Sequence, residues 1–567
     1  MSERNTPRGR TRLEALGKQI DASSSRRKSS KRRSQREATS PQRSSANLRS
    51  RPSRRRIRIR RTLVGSLAVV LVLALCGFGY AYYISHDLNR VQVSGLSTNT
   101  LVGAEAGSEN ILMVGSTSRC ALKVQNPAYG LCSQGVTGVN SDVIMILHAN
   151  PTTHQLAVLS IPRDLFVPNA RAEGANKIDA GLYEGITQVV TAVQDDLGIP
   201  IAHAVSVNFD QFANIVDALG GINMSFPVSL FDRESGLNVQ AASCVHLNGI
   251  QALQVVRARH LQYKTATSGS SAGNWPQENL SDLARIRRNH EFLRVLGSTV
   301  AKNGLGNPLS DLSLINSVKS DVTFDQSWSV NDMVNLVLSF HTVNVASVPQ
   351  LTFPVSVVLD PNGPSGDYLY QGGNYGQVAF PSQQTGQAAI NAVLGINNTV
   401  NPMSGAPLPA ASSINLAVLN GTGVANQATT TGSAFQALGF HVTSLGDTHA
   451  VGSVSETVVY YGSHSPEVVA AAEKVLHSIT GAVVMGYNPS LVAKGSTITV
   501  VTGSQFGVIQ PSSAPKAQTA VPTHTSNVPT SSSAIGTPSS VTTSNASWDP
   551  RACTPGSKPT APVPNRI

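Results

Sequence analysis

Apolar residues along the chain gather in short compact runs separated by amphipathic stretches. NILMVGS (110–116), DVIMILHA (142–149) and QLAVLSIP (155–162) are apolar runs of strand length. Tyr183 to Leu197 spaces its apolar residues for a helix, with Gly198 and Pro200 as stop signals. A second helix is expected over Gln211 to Leu219, ended by Gly220-Gly221. This alternation predicts an α/β layered domain over 108–400, with a central mixed sheet flanked by helices. A Pro-, Ala- and Ser-rich linker at 401–412 precedes a smaller domain at 413–504. In that domain INLAVLNG (414–421) reads as a strand and Ala425 to Leu438 as a helix, with Gly439 as its C-cap. Strands follow at 440–445 and 457–461, then a helix at 465–479, then strands at 482–487 and 497–502. In outline this β-α-β-β-α-β order predicts a ferredoxin-like α+β fold.

One apolar run is too long for a strand. The 23 residues from Thr62 to Ile84 carry no charge, and a helix rising about 1.5 Å per residue would cross a hydrocarbon core of about 30 Å. Tyr80, Tyr82 and Tyr83 cluster at one end and Arg54, Arg55, Arg56, Arg58, Arg60 and Arg61 at the other. The positive-inside rule then predicts a single-pass anchor in the plasma membrane, with the N-terminus cytoplasmic and everything after Ser85 outside. The basic run is too long for a cleaved signal peptide and no A-x-A site follows. Residues 85–107 read as a stalk.

Charge separates along the same boundary. The chain carries +11 overall, yet residues 1–61 hold 21 Lys and Arg against 4 Asp and Glu, and the remaining 506 residues sum to −6. The basic character therefore belongs to a disordered cytoplasmic tail at 1–61, and no nucleic-acid partner is expected for the body. From Gln505 onward 30 of 63 residues are Ser, Thr or Pro, which predicts a second disordered tail at 505–567. Cys120 and Cys132 fall in one loop outside the cell, where a disulfide can persist, while Cys244 and Cys553 either pair or stay free.

Familiar catalytic templates fail. There is no H-E-x-x-H and no Walker A sequence. GSSAG (269–273) matches G-x-S-x-G, but no strand precedes Ser271 and no helix follows it, so the nucleophile elbow is missing. Five arginines remain. Arg163 ends an apolar run within SIPRD, Arg257 and Arg259 lie two apart in QALQVVRARH, and Arg285 and Arg288 lie three apart in DLARIRRN, on one face if that stretch is helical. Arginine is costly to bury unless an anion pairs with it, and its planar fork suits phosphate oxygens. The set suggests a pocket for a di-anionic group.

These segments resemble the LytR–CpsA–Psr family of bacterial envelope proteins. The likeness runs from Asn110 to Phe292 through NILMVGSTSR, SDVIMILHANP, LSIPRDLFVP, NKIDAGLYEG, VDALGGI, LNGIQALQVVRARH and DLARIRRNHEFL. Residues 414–503 are similar to the LytR C-terminal domain, with VLNGTG and ALGFHV as landmarks, a combination common in actinobacteria. The resemblance implies a phosphotransferase of cell-wall assembly. Its substrate would be a glycan on a polyprenyl pyrophosphate, its acceptor peptidoglycan, and its cofactor Mg²⁺, with the lipid in an apolar tunnel between sheet and helices. Arg163, Arg257, Arg259, Arg285 and Arg288 would bind the pyrophosphate, Arg163, Arg257 and Arg259 would be catalytic, and Asp142 would serve the metal.

Three positions depart from the family pattern. Thr117 stands where Asp is usual, Asn140 where Arg is usual, and Asn289 where Gln is usual. The first two remove one carboxylate and one guanidinium from the implied site, and Arg119 is a candidate to compensate. Three functions stay open: a glycopolymer–peptidoglycan ligase, a catalytically weakened protein that binds polyprenyl-linked intermediates or scaffolds envelope enzymes, or a wall- or host-interaction protein acting through its C-terminal domain and tail. The Gly- and Ser-rich loop between His260 and Asp282 is either a lid or a passive insertion.

Overall fold

A computed structural model of the chain describes residues 88–97, 107–116, 120, 131–135, 137–279, 281–303, 322–340, 342–358, 364–382, 390–391, 393–394, 400–401, 407–448, 456–504, 506–508, 519–520 and 545–560. The tail at 1–61, the expected membrane span at 62–84, Thr117 and Arg119 lie outside the described residues, as do parts of 85–107 and of the linker. The expectation of a stalk at 85–107 is corrected for its described part: Asn89–Val91 joins the main sheet, and Val91, Val93 and Leu96 pack on the core. Among the described residues no helix is long and apolar enough to cross a membrane.

The larger domain is built on β1 (Asn89–Val91), β2 (Glu109–Ser116), β3 (Ser141–Asn150), β4 (Gln155–Ile161), α1 (Ile186–Leu197), β5 (His203–Val207), α2 (Phe209–Ala218), α3 (Gly249–Arg257), α4 (Ser281–Asn303), β6 (Thr323–Asp325) and β7 (Gln350–Thr352). Its seven strands run in the order β1-β6-β5-β2-β3-β4-β7. The pairs β2–β3, β3–β4 and β5–β6 are antiparallel, and β2–β5, β4–β7 and β1–β6 are parallel, so the sheet is mixed as expected.

The central strands are apolar on both faces because each face carries a layer. Leu112, Val114, Ile144, Ile146, Leu159 and Ile161 point to one side and pack against Val189, Val190 and Val193 of α1. The intervening Met113, Val143, Met145, Leu147, Leu156 and Val158 point to the other side, toward Leu293 of α4. This second face is less completely covered: Met113, Val143 and Leu147 are only partly buried.

The smaller domain contains β8 (Asn415–Asn420), α5 (Gln427–Ala437), β9 (His441–Asp447), β10 (Thr457–Tyr461), α6 (Pro466–Leu476), β11 (Val483–Tyr487) and β12 (Ile498–Thr502). All the expected elements are present, but their sheet is not ferredoxin-like. The order is β9-β8-β12-β10-β11. Each helix joins two parallel strands that are direct neighbours, β8 with β9 and β10 with β11. In a split βαβ arrangement another strand would lie between such a pair. Here the last strand, ITVVT, instead takes the centre of the sheet between the two units, parallel to β8 and antiparallel to β10. Burial explains the choice, since Ile498, Val500 and Thr502 are almost wholly enclosed.

The two domains share a core. Val458 of β10 and Val484 of β11 belong to the apolar cluster that includes α1. The Asn169 amide donates to the Tyr487 carbonyl at 2.9 Å, and its oxygen accepts from the Tyr487 N–H at 3.0 Å. His464 pairs with Asp195 at 3.1 Å, which raises the imidazole pKa.

The expectation of disorder throughout 505–567 is corrected. Phe506–Val508 forms a strand beside Ile479–Gly481. Residues 545–560 lie against the larger domain, where Arg551 and Ala552 pair antiparallel beside the strand Ile222–Phe226 and Cys553 is bonded to Cys244. Composition averaged over the tail hides the short segment SWDPRAC, whose Trp and Cys carry this docking. The Cys120–Cys132 bridge is present as expected.

Asp196, Glu456 and Glu473 are buried where the domains meet or within the smaller one. Each has at least one carboxyl oxygen without a partner among the described residues, and burial pushes all three pKa values well up. Folded, these groups hold protons that the unfolded chain releases above the ordinary value of 4.5 for Glu, so stability is full at acid pH and falls as pH rises. Urea denaturation at pH 5 and pH 8 should show that loss. Glu473→Gln should reduce it and raise stability at pH 8 by about 1–3 kcal/mol; a pH-independent midpoint in both proteins would contradict the assignment.

Candidate active site

Four segments converge at one end of the sheet. The turn after β4 carries Arg163 and Asp164, and a register shift at the β2–β3 edge precedes Asp142 at the start of β3. An Asn248–Gln251 capping box starts α3, whose last residue is Arg257, so Arg259 leaves on the following loop. Asp282 and Arg285 occupy the first turns of α4, three residues apart. They border a cleft of about 450 Å³ lined by Arg163, Asp164, Lys177, Arg259, Glu278 and Asp282 together with Val355, Val357 and Val378.

Arg163 is the hub. Its guanidinium donates to Asp142 and lies 3.7 Å from Asp164, 3.8 Å from Asp179 and 3.9 Å from Asp282. Arg259 approaches Asp164 at 3.6 Å and Asp282 at 4.0 Å. Lys177 holds Asp164 at 2.9 Å. Arg285, almost wholly buried, donates to Asp282 and to the Asp142 carbonyl, each at 2.6 Å. Four cations, Arg163, Lys177, Arg259 and Arg285, thus face four carboxylates, Asp142, Asp164, Asp179 and Asp282. The Nε–H groups of Arg163, Arg259 and Arg285 nevertheless lack a hydrogen-bond acceptor among the described residues, as does that of Arg288. Of these four arginines, Arg163 and Arg259 line the cleft, where their guanidiniums can meet an oxyanion.

Burial would raise the Asp142 carboxyl, but Arg285 and Arg163 outweigh it and hold the pKa below the ordinary range. Asp164 behaves likewise under Arg163 and Lys177. For Asp179 burial wins over Arg163 and pushes the pKa up to about 7. Arg259 is lowered by burial and by crowding from Arg163 and Arg285.

Of the five arginines expected in the pocket, three come together: Arg163, Arg259 and Arg285. Arg257 turns over the ring of Phe209, 4.4 Å from its centroid, and does not line the cleft. Arg288 is buried one turn along from Arg285, where Glu278 and the Ala258 carbonyl accept from it. Helical spacing put both on one face correctly, but at adjacent turns they meet different partners. Asn289 is buried beside them, its amide within 3.1 Å of the Val256 carbonyl. Asn140 is partly buried at the entry to β3. Ser271 lies in an exposed loop with no strand before it. The carboxylates Asp164, Asp179 and Asp282 and the ammonium of Lys177 escaped the sequence reading. Their signal was present: Asp164 follows Arg163, and Asp282 sits three residues before Arg285.

Magnesium usually takes one or two carboxylates, waters and substrate phosphates. Asp142 and Asp179, both beside the same Arg163 nitrogen, are hard oxygen donors that fit such a site. Among the described residues no group of three or more acidic, His or Cys side chains could hold a metal by itself.

The chain is similar to known proteins. Residues 82–383 match the LytR_cpsA_psr family, and residues 413–506 match the domain described as LytR cell envelope-related transcriptional attenuator. The chain belongs to the LytR–CpsA–Psr family and carries a LytR C-terminal domain. It is 33% identical over 295 residues to the probable cell wall biosynthesis protein LcpB of Corynebacterium glutamicum, covering 50% of this chain and 64% of that relative. It is 23% identical over 281 residues to the polyisoprenyl-teichoic acid–peptidoglycan teichoic acid transferase TagU of Bacillus subtilis, covering 49% of this chain and 83% of that one. Among solved structures, a LytR-Csp2A-Psr enzyme from Actinomyces oris aligns with 22% identity and a TM-score of 0.40, over 54% of this chain and 96% of that one.

The pairing of Arg288 with Glu278 makes it a structural residue. Arg288→Ala should destabilise the protein by about 3–5 kcal/mol in chemical denaturation, as loss of one partner of a buried ion pair does. Arg288→Met combined with Glu278→Gln should recover part of that loss; a double variant as unstable as the two single losses summed would contradict the pairing.

Proposed function

We propose that the protein acts in cell-wall assembly, transferring a glycan phosphate from a polyprenyl-pyrophosphate carrier to a peptidoglycan hydroxyl. The observation that carries this reading is the convergence of Arg163 and Arg259 on one cleft with their Nε–H groups unmet. The relative TagU is named as a transferase of polyisoprenyl-linked teichoic acid to peptidoglycan, which supports the same reaction class. Phosphoryl transfer needs charge neutralisation on the nonbridging oxygens and an aligned hydroxyl. Arg163 and Arg259 would grip the diphosphate, while Arg285 fixes Asp142 from behind. Four carboxyl groups face the four cations, so the cluster has little surplus positive charge to offer a diphosphate even with Asp179 partly protonated near neutral pH. Bound Mg²⁺ would supply that surplus, and Asp142 with Asp179 would hold it. The partly covered apolar face beginning at Val143, one residue from Asp142, suits the lipid chain. An anchor at 62–84 would keep the cleft at the outer membrane surface, within reach of carrier and wall.

A second reading, a weakened protein that binds lipid-linked glycans or scaffolds envelope enzymes, is favoured by one observation. Four carboxylates already surround Arg163, and Asn140 supplies no guanidinium to offset them. Turnover separates the two. With Mg²⁺, a polyprenyl-pyrophosphate-linked glycan and a peptidoglycan acceptor, the protein should move the glycan phosphate to the acceptor and release polyprenyl phosphate, and Arg163→Ala and Arg259→Ala should each cut the rate by about 10²–10³. Chelation of the metal should abolish it. Tight binding without release would establish the second reading, and neither binding nor release would overturn both.

A further inference from the structure

The docked C-terminal segment touches the cleft wall through one residue. Glu278 lines the cleft. Its carboxylate accepts from Trp548 Nε1 at 3.0 Å, from Arg287 at 2.5 Å and from Arg288. Arg287 also donates from Nε to the buried Asp549 at 2.5 Å. Two guanidiniums and two carboxylates therefore close a neutral, water-poor network, and one of the carboxylates comes from the far end of the chain. Trp548 stacks on Tyr263 with ring centroids 4.1 Å apart and planes 4° from parallel. Around it Ala552 N–H donates to Glu291 at 3.1 Å, Thr560 bonds Cys244 and His246, and Cys553 is covalently tied to Cys244.

The other side of this network holds the loop that carries Arg259. Arg288 donates to the carbonyl of Ala258, the residue before Arg259. The Glu278 N–H donates to the Leu261 carbonyl at 2.8 Å, and Tyr263 N–H to the Pro276 carbonyl at 3.0 Å. Trp548 thus holds Glu278 directly and Asp549 does so through Arg287, Glu278 holds Arg288, and Glu278 and Arg288 hold the segment on which Arg259 faces the cleft.

We infer that the strap Ala546–Thr560 is a built-in positioning element of the cleft, fixing the Arg259 loop through Glu278 and Arg288. Without Asp549, Glu278 must serve two guanidiniums alone, and an uncompensated buried cation loosens the wall. The catalytic consequence rests on the phosphotransfer reading; the structural coupling does not.

The test uses the full chain, with Asp549→Asn and, separately, Trp548→Ala combined with Cys553→Ser, both checked for an unchanged melting of the remainder. Amide hydrogen exchange over residues 258–263 should speed up at least about tenfold in both variants, since local opening sets exchange. With polyprenyl pyrophosphate and Mg²⁺, KM should rise about tenfold or more while kcat changes less, as for a displaced gripping residue. Asp549→Glu should restore part of the loss. If the unaltered protein shows no turnover, the phosphotransfer reading fails while the exchange measurement still decides the strap. Unchanged exchange at 258–263 in both variants would overturn the inference.

Discussion

A buried guanidinium must be met by negative charge, and that requirement organises this protein around its cleft. Arg163, Arg259 and Arg285 lie where the ends of β3 and β4, the loop after α3 and the start of α4 meet. The chain meets them with its own carboxylates, Asp142, Asp164, Asp179 and Asp282. The arrangement is pre-organised rather than flexible, because each guanidinium is held by more than one acid. It is also incomplete, because the Nε–H groups of Arg163, Arg259 and Arg285 make no hydrogen bond among the described residues. A ligand with phosphate oxygens would exchange one set of anions for another around guanidiniums that are already mostly desolvated.

The same requirement recurs one layer away, at Arg287 and Arg288, where Glu278 and Asp549 supply the negative charge. The contrast separates a binding cluster from a structural one: Arg163 and Arg259 line the cleft, whereas Arg287 and Arg288 lie behind Glu278 in its wall. The apolar scaffold beneath is continuous between the two domains, through Val458 and Val484 packed with the α1 layer. The LytR C-terminal domain is thus part of the same body as the cleft, and excising it would expose those valines.

Much of the fold was legible because burial writes itself into strand-length apolar runs and helical spacing. The runs at 110–116, 142–149 and 155–162 are central strands of the mixed sheet. Topology was less legible, as β12 shows: its place in the chain says nothing about its place between β8 and β10, which burial decides. Within the site, residue type and segment pointed to Arg163, Arg259 and Arg285, while Arg257 and Arg288 look the same in sequence and differ only in what the fold sets opposite them. The carboxylates were missed because an acid beside an arginine reads as an ordinary surface pair until the structure shows both enclosed. The strap was missed because a few aromatic, acidic and sulfur-bearing residues are diluted by a tail of Ser, Thr and Pro.

The most direct measurement is an experimental structure of the protein with a polyprenyl pyrophosphate and Mg²⁺. The account predicts phosphate oxygens on the Nε–H groups of Arg163 and Arg259, with the Arg163–Asp142 pairing opened and the lipid chain along Val143, Met145 and Leu147. A diphosphate bound elsewhere, with Arg163 still enclosed by its four carboxylates, would contradict it.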